Sequence, residues 1–355
     1  MLAVVVPCVL GGVAVAGDGY TVVELGALRQ GGSSVGRQID STGTRVVGSS
    51  GSIHGNDMRA FLWSASSGTR DLGTFQGGAY SEAFGVNDSG TVVGDSNARD
   101  TMRAFVWNAM EGMRELSPLP GDSASRAFAI NNSGQVAGYS SGKHGVRAVV
   151  WSAQLEVRSL GTLPGGNYSE AYAINNTGQI VGMSTSASGK RPFLWTSRGG
   201  MIDLGILQGS ESCKAVRINN TGQVVGSCTL GAGSRPFLWS EESGMQSVGS
   251  LGGRQYAEAL GINDSGQVVG ASETSLGPRA FLWSKAGGLQ DINSLIPSTH
   301  DVLLVQGLHI NNRGQILAVG SVHHDLTHDR EASPDDATHA GPMHVFLLTP
   351  VSSPH

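Results

Sequence analysis

The stretch Ala259-Leu260-Gly261-Ile262-Asn263-Asp264-Ser265-Gly266-Gln267-Val268-Val269-Gly270, followed by Arg279-Ala280-Phe281-Leu282-Trp283-Ser284, decides the fold. Variants of it recur along the chain, and its tryptophan returns every 44 residues. The positions that share this tryptophan, which together hold every tryptophan of the chain, are Trp63, Trp107, Trp151, Trp195, Trp239 and Trp283. A fixed period of this length indicates a repeat architecture.

Each repeat contains four short apolar segments in a fixed order. The first segment ends at Leu25, Leu72, Leu116, Leu160, Leu204, Val248 or Ile292, and the second ends at Asp40, Asn87, Asn131, Asn175, Asn219, Asn263 or Asn311. The third resembles Val224-Val225-Gly226, and the fourth carries the tryptophan. Because the segments are short, rich in Val, Ile, Phe and Trp, and bounded by Gly, Asn or Ser, each predicts a β-strand. Asn-Asp-Ser-Gly and related turns predict a tight hairpin between the second and third.

Four strands in about 40–45 residues is the size of a propeller blade. The sequence therefore predicts an all-β chain that folds as a seven-bladed β-propeller of four-stranded blades over residues 20–350. The expected repeats are about 20–68, 69–112, 113–156, 157–200, 201–244, 245–288 and 289–350. The alternative is an open β-solenoid, which would need atypical capping repeats at its ends.

The order of segments also predicts how the ring closes. The chain begins with a strand of the first type at Tyr20–Leu25 and finishes with one of the fourth type at His344–Leu348. If first-type strands are the outer strands of the preceding blade, the N-terminal strand completes the C-terminal blade. Pairing of the two ends would remove the exposed edges that an open array leaves.

Composition excludes two classes of partner. Charged residues make up 14% of the 355 residues, and the net charge of −5 is spread without runs. There is no basic patch for nucleic acid and no basic amphipathic stretch for a membrane surface. We expect no nucleic-acid partner, no membrane insertion of the mature chain, and a monomer.

Residues 1–16 form an apolar stretch that is too short to span a bilayer comfortably. It ends in Ala14-Val15-Ala16, so we expect a secretory signal, although the positive residues that usually begin one are missing. The alternative is a buried N-terminal strand.

The quoted stretch resembles the repeat of the HAF family of extracellular bacterial proteins. The resemblance covers about residues 20–350, with Arg-Ala-Phe or Arg-Pro-Phe where the family name implies His-Ala-Phe. It implies export, so that the protein would be secreted or extracellular, with the periplasm and the cell surface as variants. It supplies no catalytic residues.

Two cysteines of the expected mature chain replace serines of the repeat. Folding the hairpin about Asn220-Thr221 places residue 219 opposite 222, and therefore Cys213 opposite Cys228. Opposed residues of antiparallel strands lie within disulfide range, so we expect a Cys213–Cys228 bridge and an oxidising compartment. The alternative is a pair of free thiols.

Polar residues enter the second strand, which should line the central channel. Five residues before the hairpin asparagine lie Glu82, Arg126, Glu170, Lys214 and Glu258, preceded in the three glutamate repeats by Tyr80, Tyr168 and Tyr256. We call these eight residues the collar. Their alternating charge predicts ion pairs between blades, whereas the tyrosines favour a rim that binds sugar rings. Three residues with polar side chains replace small residues further along the strand and are expected to point into the channel: Gln38, Arg217 and His309.

The seventh repeat carries two insertions, at 295–305 and 321–343, that should emerge on one face. Histidines and aspartates in them could bind a divalent metal such as Zn, Mn or Ni. The candidate ligands are His323, His324, Asp325, His328 and Asp329. The alternative is a solvated polar loop that binds no metal, since so polar a run rarely orders itself alone.

The leading hypothesis is an extracellular module that binds a glycan or a protein through one propeller face, centred on the blade-seven and blade-one loops. The alternative is an extracellular polysaccharide lyase or glycoside hydrolase, an analogy that rests on fold alone. In a lyase, His300 or His309 would be the base, and Arg37 or Arg217 would neutralise a uronate carboxylate. A hydrolase would need a pair drawn from Glu82, Glu170 and Glu258.

Overall fold

The computed structural model describes residues 19–26, 28, 33–51, 58–98, 101–253, 256–322 and 343–351. These residues form seven four-stranded antiparallel sheets, which are the seven blades of a β-propeller. The predicted fold class is therefore confirmed. Within the described residues the only helical turns are two short 3-10 segments, Leu251–Gly253 and Ile292–Leu295.

The blades are numbered in chain order, and each runs from the channel outwards. Blade one is β2 (Ser33–Ile39), β3 (Arg45–Gly51), β4 (Arg59–Ser64) and β5 (Gly68–Asp71). Blade two is β6 (Ser81–Val86), β7 (Val92–Ala98), β8 (Thr101–Asn108) and β9 (Gly112–Leu116). Blade three is β10 (Asp122–Ile130), β11 (Val136–Gly142), β12 (Gly145–Trp151) and β13 (Val157–Gly161). Blade four is β14 (Ser169–Ile174), β15 (Ile180–Ser186), β16 (Gly189–Thr196) and β17 (Gly200–Asp203). Blade five is β18 (Ser212–Ile218), β19 (Val224–Leu230), β20 (Gly233–Ser240) and β21 (Gly244–Ser247). Blade six is β22 (Ala257–Ile262), β23 (Val268–Thr274), β24 (Gly277–Ser284) and β25 (Gly288–Asp291). Blade seven is β26 (Val302–Ile310), β27 (Ile316–Val322), β28 (His344–Pro350) and β1 (Tyr20–Leu25).

Blade seven is built from both ends of the chain, as the order of segments predicts. Strand β1 pairs antiparallel with β28, from Tyr20 opposite Pro350 to Leu25 opposite Val345. The backbone N–H of Val351 extends the pairing by donating to the carbonyl of Gly19 at 2.9 Å. Each blade therefore combines the last three segments of one repeat with the first segment of the next.

The core lies between the blades. A phenylalanine of the third strand is almost fully buried in six of the seven blades, at Phe61, Phe105, Phe193, Phe237, Phe281 and Phe346, and Val149 takes its place in blade three. Paired valines of the second strand, such as Val46 and Val47, are also inaccessible. Both faces of a blade are covered by its neighbours, which explains why these strands are apolar along their length.

Serine hydroxyls join neighbouring blades near the start of the inner strands. The Ser81 hydroxyl accepts from the backbone N–H of Ala60 in the preceding blade at 2.9 Å, and Ser125 and Ser169 make the same bond to the next alanines. In blades five and six the serine is replaced by a cysteine or an alanine. The facing residues there are Pro192 and Pro236, which have no N–H to donate. The exchange of Arg-Ala-Phe for Arg-Pro-Phe in blades four and five thus removes the donor where blades five and six lack the acceptor.

At the opposite end, the hairpin asparagines link the blades into a ring. Each asparagine amide donates to the carbonyl of the equivalent residue in the next blade at 2.9–3.3 Å, from Asn87 through Asn311 to Asp40. The seventh link is absent from this set because Asp40 carries a carboxylate that cannot donate. The Arg45 guanidinium joins the two blades at this position instead, because it donates to the Asp40 carboxylate at 3.1 Å and to the carbonyl of Asp88 at 3.3 Å.

The predicted disulfide is present. Cys213 and Cys228 are opposed in β18 and β19, with their Cα atoms 4.0 Å apart. The predicted strand register was wrong in one detail, at the turn itself. Near the turn, Ile218 faces Val224 and the backbone N–H of Asn219 bonds to Gln223, so residue 219 is not simply opposite 222. An irregularity after Ala215 then shifts the pairing by one and brings the cysteines together.

Candidate functional site

One residue in every inner strand stands outside the ladder and faces the channel. In β6, Ala83 pairs with Gly94 and Gly85 with Val93, which leaves Phe84 without a partner. The same β-bulge occurs in all seven blades, and a bulge re-aims the side chain of its extra residue. We call the seven unpaired residues the bulge ring: Arg37, Phe84, Phe128, Tyr172, Val216, Leu260 and Leu308.

A glycine of the second strand makes room for the bulge in six of the seven blades. The six glycines are Gly48, Gly94, Gly138, Gly182, Gly226 and Gly270. A Cβ on any of them would lie 1.9–2.0 Å from a backbone carbonyl oxygen of the inner strand. No side chain fits at that separation, so in these blades the bulge opposite requires the glycine, whereas Ala318 lies opposite the bulge of blade seven.

The bulge ring lines a cavity of about 320 Å³ on the channel axis. We call it the collar-side cavity, because it opens towards the end where the inner strands begin. Gly36, Lys214 and Arg217 complete its wall. Of the eight collar residues only Lys214 lines the cavity itself. Of the bulge ring itself, only Arg37 was among the residues predicted from the sequence; the other six members were not predicted to line the channel.

Three aromatic rings contact one another along one side of this cavity, and two arginines lie against the first of them. The Phe84 and Phe128 ring centroids are 5.3 Å apart, and those of Phe128 and Tyr172 are 5.5 Å apart. The guanidinium carbons of Arg37 and Arg126 lie 5.5 and 5.3 Å from the Phe84 centroid, within cation–π range. The other side, formed by the remaining members of the ring, is aliphatic.

The collar charges pair between blades, but not with one another in the order that their alternation predicts. Arg37 of blade one forms a salt bridge with Glu82 of blade two, through its Nε at 2.8 Å and through one of its terminal nitrogens. Arg126 of blade three pairs with Asp95, which lies opposite Glu82 in blade two. The two acids thus sit between two arginines.

Asp95 is the most buried member of this group. Its side chain is inaccessible, and its Oδ1 has no hydrogen-bond partner among the described residues. Burial raises the pKa of Asp95 to about 6, against the opposing effect of Arg126. The carboxyl therefore takes up a proton in mildly acidic solution.

Tyrosine hydroxyls donate hydrogen bonds to the three collar glutamates. Tyr80 donates to Glu82 Oε2 at 2.8 Å, and Tyr168 donates to Glu170 Oε1 at 2.5 Å. Tyr172 donates to the other oxygen of Glu170. Burial raises the pKa of these phenols, and the bonded glutamate raises it further, so each phenol keeps its proton.

Tyr256 is the most accessible of the collar tyrosines, with 47% of its surface exposed. Its pKa is raised by burial and then by the charge and hydrogen bond of Glu258. The structure thus brings a Tyr–Glu pair to the collar from each of blades two, four and six.

The three further polar residues lie in the channel. Gln38 and His309 border a second cavity of about 140 Å³ towards the hairpin asparagines, the hairpin-side cavity, whereas Arg217 borders the collar-side cavity. Nδ1 of His309 is buried without a partner among the described residues. Burial, followed by the charge of Arg217, lowers the pKa of His309 to about 3. Its imidazole is neutral at physiological pH.

The remaining candidates do not join this group. His300 lies in the turn before β26 and is not among the residues that line either channel cavity. The candidate metal ligands at 323–329 lie outside the described residues. Elsewhere in the described chain no group of three or more His, Cys, Asp or Glu side chains is placed to hold a metal ion. Nor does any helix among the described residues have the length and apolar character to cross a membrane.

Neither a family model nor a curated protein matches the chain. Solved structures do, although at low identity. A streptogramin B lyase aligns with a TM-score of 0.56 and 11% identity, over 94% of this chain and 98% of that protein. An oligogalacturonate lyase from Vibrio parahaemolyticus aligns with a TM-score of 0.56 and 9% identity, over 94% and 98% of the two chains.

TolB from Acinetobacter baumannii aligns with a TM-score of 0.50 and 10% identity, over 70% of this chain. The chain spans 63% of the length of that protein. At these identities the likeness shows the fold alone. What the chain shares with these proteins is the β-propeller.

Proposed function

We propose that this protein is an exported, HAF-type binding module that takes the end of a glycan into the collar side of its channel. The observation that carries the proposal is the axial cavity of about 320 Å³ beneath three Tyr–Glu pairs. Pockets for small ligands start at roughly 300 Å³. A concave site of this size suits a small molecule or a chain end better than a protein surface, which typically buries about 800 Å² per partner.

The Tyr–Glu pairs support a glycan as the ligand. A tyrosine offers a flat apolar face, and the glutamate oxygens that its hydroxyl leaves free can accept from sugar hydroxyls. Because Glu170 is already held by Tyr168 and Tyr172, little side-chain freedom is lost on binding. The disulfide between Cys213 and Cys228 supports export, since such bonds persist in oxidising compartments.

The proposal is tested by calorimetric titration of the protein with a panel of oligosaccharides. Tyr256→Ala removes the most exposed collar ring, and we expect it to weaken binding at least about tenfold. Met110→Ala is the matched control, because Met110 is 94% exposed at the turn between β8 and β9, away from the collar. Equal binding by the two variants, or no binding of any glycan, would refute the proposal.

The pKa of His309 favours binding over the alternative, a polysaccharide lyase. A general base works best when its pKa lies near the working pH, and a pKa near 3 makes the imidazole a weak base. His300, the other candidate base, is not at the cavity. Acidic polysaccharides incubated with the protein should therefore yield no unsaturated product by ultraviolet absorbance, and the appearance of such a product would favour the lyase.

A further inference from the structure

Three cationic side chains border the collar-side cavity. They are Arg37, Lys214 and Arg217, and blade five supplies two of them. At the position of Arg217 the equivalent residues of blades two, three, four and six are Gly85, Ala129, Ala173 and Gly261. The arginine therefore fills a place where most of the ring has no side chain beyond Cβ, and the repeat itself does not require it.

Two of the three cations have no counter-charge within the described part of the chain. Arg37 is neutralised by Glu82. Arg217 is seen only to donate to the backbone carbonyl of Val216 at 2.9 Å, and neither it nor Lys214 forms a salt bridge with a described carboxylate. By contrast, arginines of the third strands pair with acidic residues of the outer strands at Arg59–Asp71, Arg103–Glu115, Arg191–Asp203 and Arg279–Asp291.

The surroundings of Arg217 make this unpaired charge unfavourable. Burial, and then the charge of Arg37, lowers the pKa of Arg217 to about 10, which still leaves the guanidinium charged at neutral pH. Around it stand the aliphatic and aromatic side chains of the bulge ring. Arg217 is partly buried, so its charge is stabilised by a partner, and two like charges that face one cavity favour an anion between them.

We propose that the collar-side cavity binds the carboxylate of a ligand, held by Arg217 and Lys214, while the bulge ring packs against the ligand's apolar or ring-shaped body. A guanidinium matches a carboxylate through two parallel N–H bonds, and an ammonium adds a point charge. Because this inference uses the cavity of the proposed function, it rests on that function and deepens it. It names the charged group that the ligand must carry.

Two sources share this chemistry: an acidic sugar, or an aromatic acid that stacks on Phe84 and Phe128. Three probes distinguish them by calorimetry and by thermal shift. Glucuronate carries both the sugar ring and the carboxylate, glucose carries the ring without the charge, and phenylacetate carries the charge on an aromatic body. We expect at least one carboxylate probe to bind about tenfold or more tightly than glucose and to raise the melting temperature.

Variants separate the site from general electrostatics. Arg217→Met should reduce carboxylate binding at least about tenfold, while the melting temperature of the free protein stays equal to the wild type or rises, because a partly buried charge without a counter-charge is removed. Arg235→Met removes the same charge from an exposed position of the same blade and should change neither property. An Arg217→Met variant that melts lower but still binds the carboxylate normally would overturn the proposal.

The possible results separate this inference from the proposed function. If glucose and glucuronate bind equally, with a loss on Tyr256→Ala but not on Arg217→Met, the glycan function stands and the carboxylate site is refuted. If phenylacetate alone binds, and does so through Arg217, the carboxylate site stands and the glycan function is refuted. If glucuronate binds through both residues, both are supported, and if no probe or glycan binds, both are overturned.

Discussion

Replacing Leu25 with alanine tests the closure of the ring by the N-terminal strand. Leu25 is 3% exposed and packs in a cluster whose other members come from blades one and seven, among them Ile39, Phe61 and Val345. The substitution removes three carbon atoms, which corresponds to about 2.4 kcal/mol of transfer free energy at ~0.8 kcal/mol each. The cavity that remains adds to this, so we expect a loss of about 3–4 kcal/mol.

Val23 on the same strand provides the control. Its side chain is 52% exposed, and Val23→Ala should change stability by less than about 0.5 kcal/mol. Both variants and the wild type would be unfolded in guanidinium chloride, with tryptophan fluorescence and circular dichroism followed together so that coincident transitions can be checked. If the two variants differ by less than about 1 kcal/mol, the strand does not close the ring in solution.

Hydrogen exchange would place the effect of Leu25→Ala within the molecule. Loss of the contact should speed exchange in β28 and β2, which meet at the closure, because local opening tracks local packing. Strand β15, which lies in blade four, should exchange as in the wild type. Uniform acceleration throughout the ring would contradict a local seam between blades seven and one.

Three further predictions concern single features of the blades. Gly138→Ala would place a Cβ 1.9 Å from the carbonyl oxygen of Arg126, so we expect a loss of about 3 kcal/mol in denaturant unfolding; wild-type stability would contradict the bulge. Mass spectrometry of the unreduced protein should show Cys213 and Cys228 in one linked peptide, and replacing both with serine should cost about 3 kcal/mol; two free thiols would disprove the bridge. Burial raises the folded-state pKa of Asp95 to about 6, so its contribution to stability is fully present below its unfolded pKa and is lost as the pH rises through about 6. Relative to Asp95→Asn, the wild type should therefore lose up to about 3 kcal/mol between pH 4 and pH 7, whereas parallel melting curves would contradict the shift.

The architecture could be predicted from the sequence because the same order of strand-forming segments recurs seven times. Each tryptophan, hairpin and paired valine fixes one strand of a blade, and the order of segments at the two ends fixes the closure. The disulfide followed from the same regularity, since Cys213 and Cys228 replace residues at equivalent positions. The two cysteines face each other in the structure only because the pairing shifts by one residue after Ala215, and the predicted register did not include that shift.

The aromatic and aliphatic lining of the channel could not be predicted in the same way. Strict alternation along a strand assumes an unbroken ladder, and under that assumption Phe84, Phe128 and Tyr172 are ordinary strand residues. The bulge turns them towards the axis instead. A signal was present in the glycine that lies inside the second strand of six blades, because a recurrent glycine within a strand marks a bulge or a close backbone approach.

The bulge separates the residues that hold a blade together from the residue that meets a ligand. Since the side chain at the bulge takes no part in the ladder, its identity is free to vary, and the seven positions already hold arginine, phenylalanine, tyrosine, valine and leucine. The side chains that line such a channel can be substituted one blade at a time without disturbing the strands around them. The strands of the ring therefore form a constant frame around seven variable, inward-facing side chains, and specificity can change by single substitutions among them.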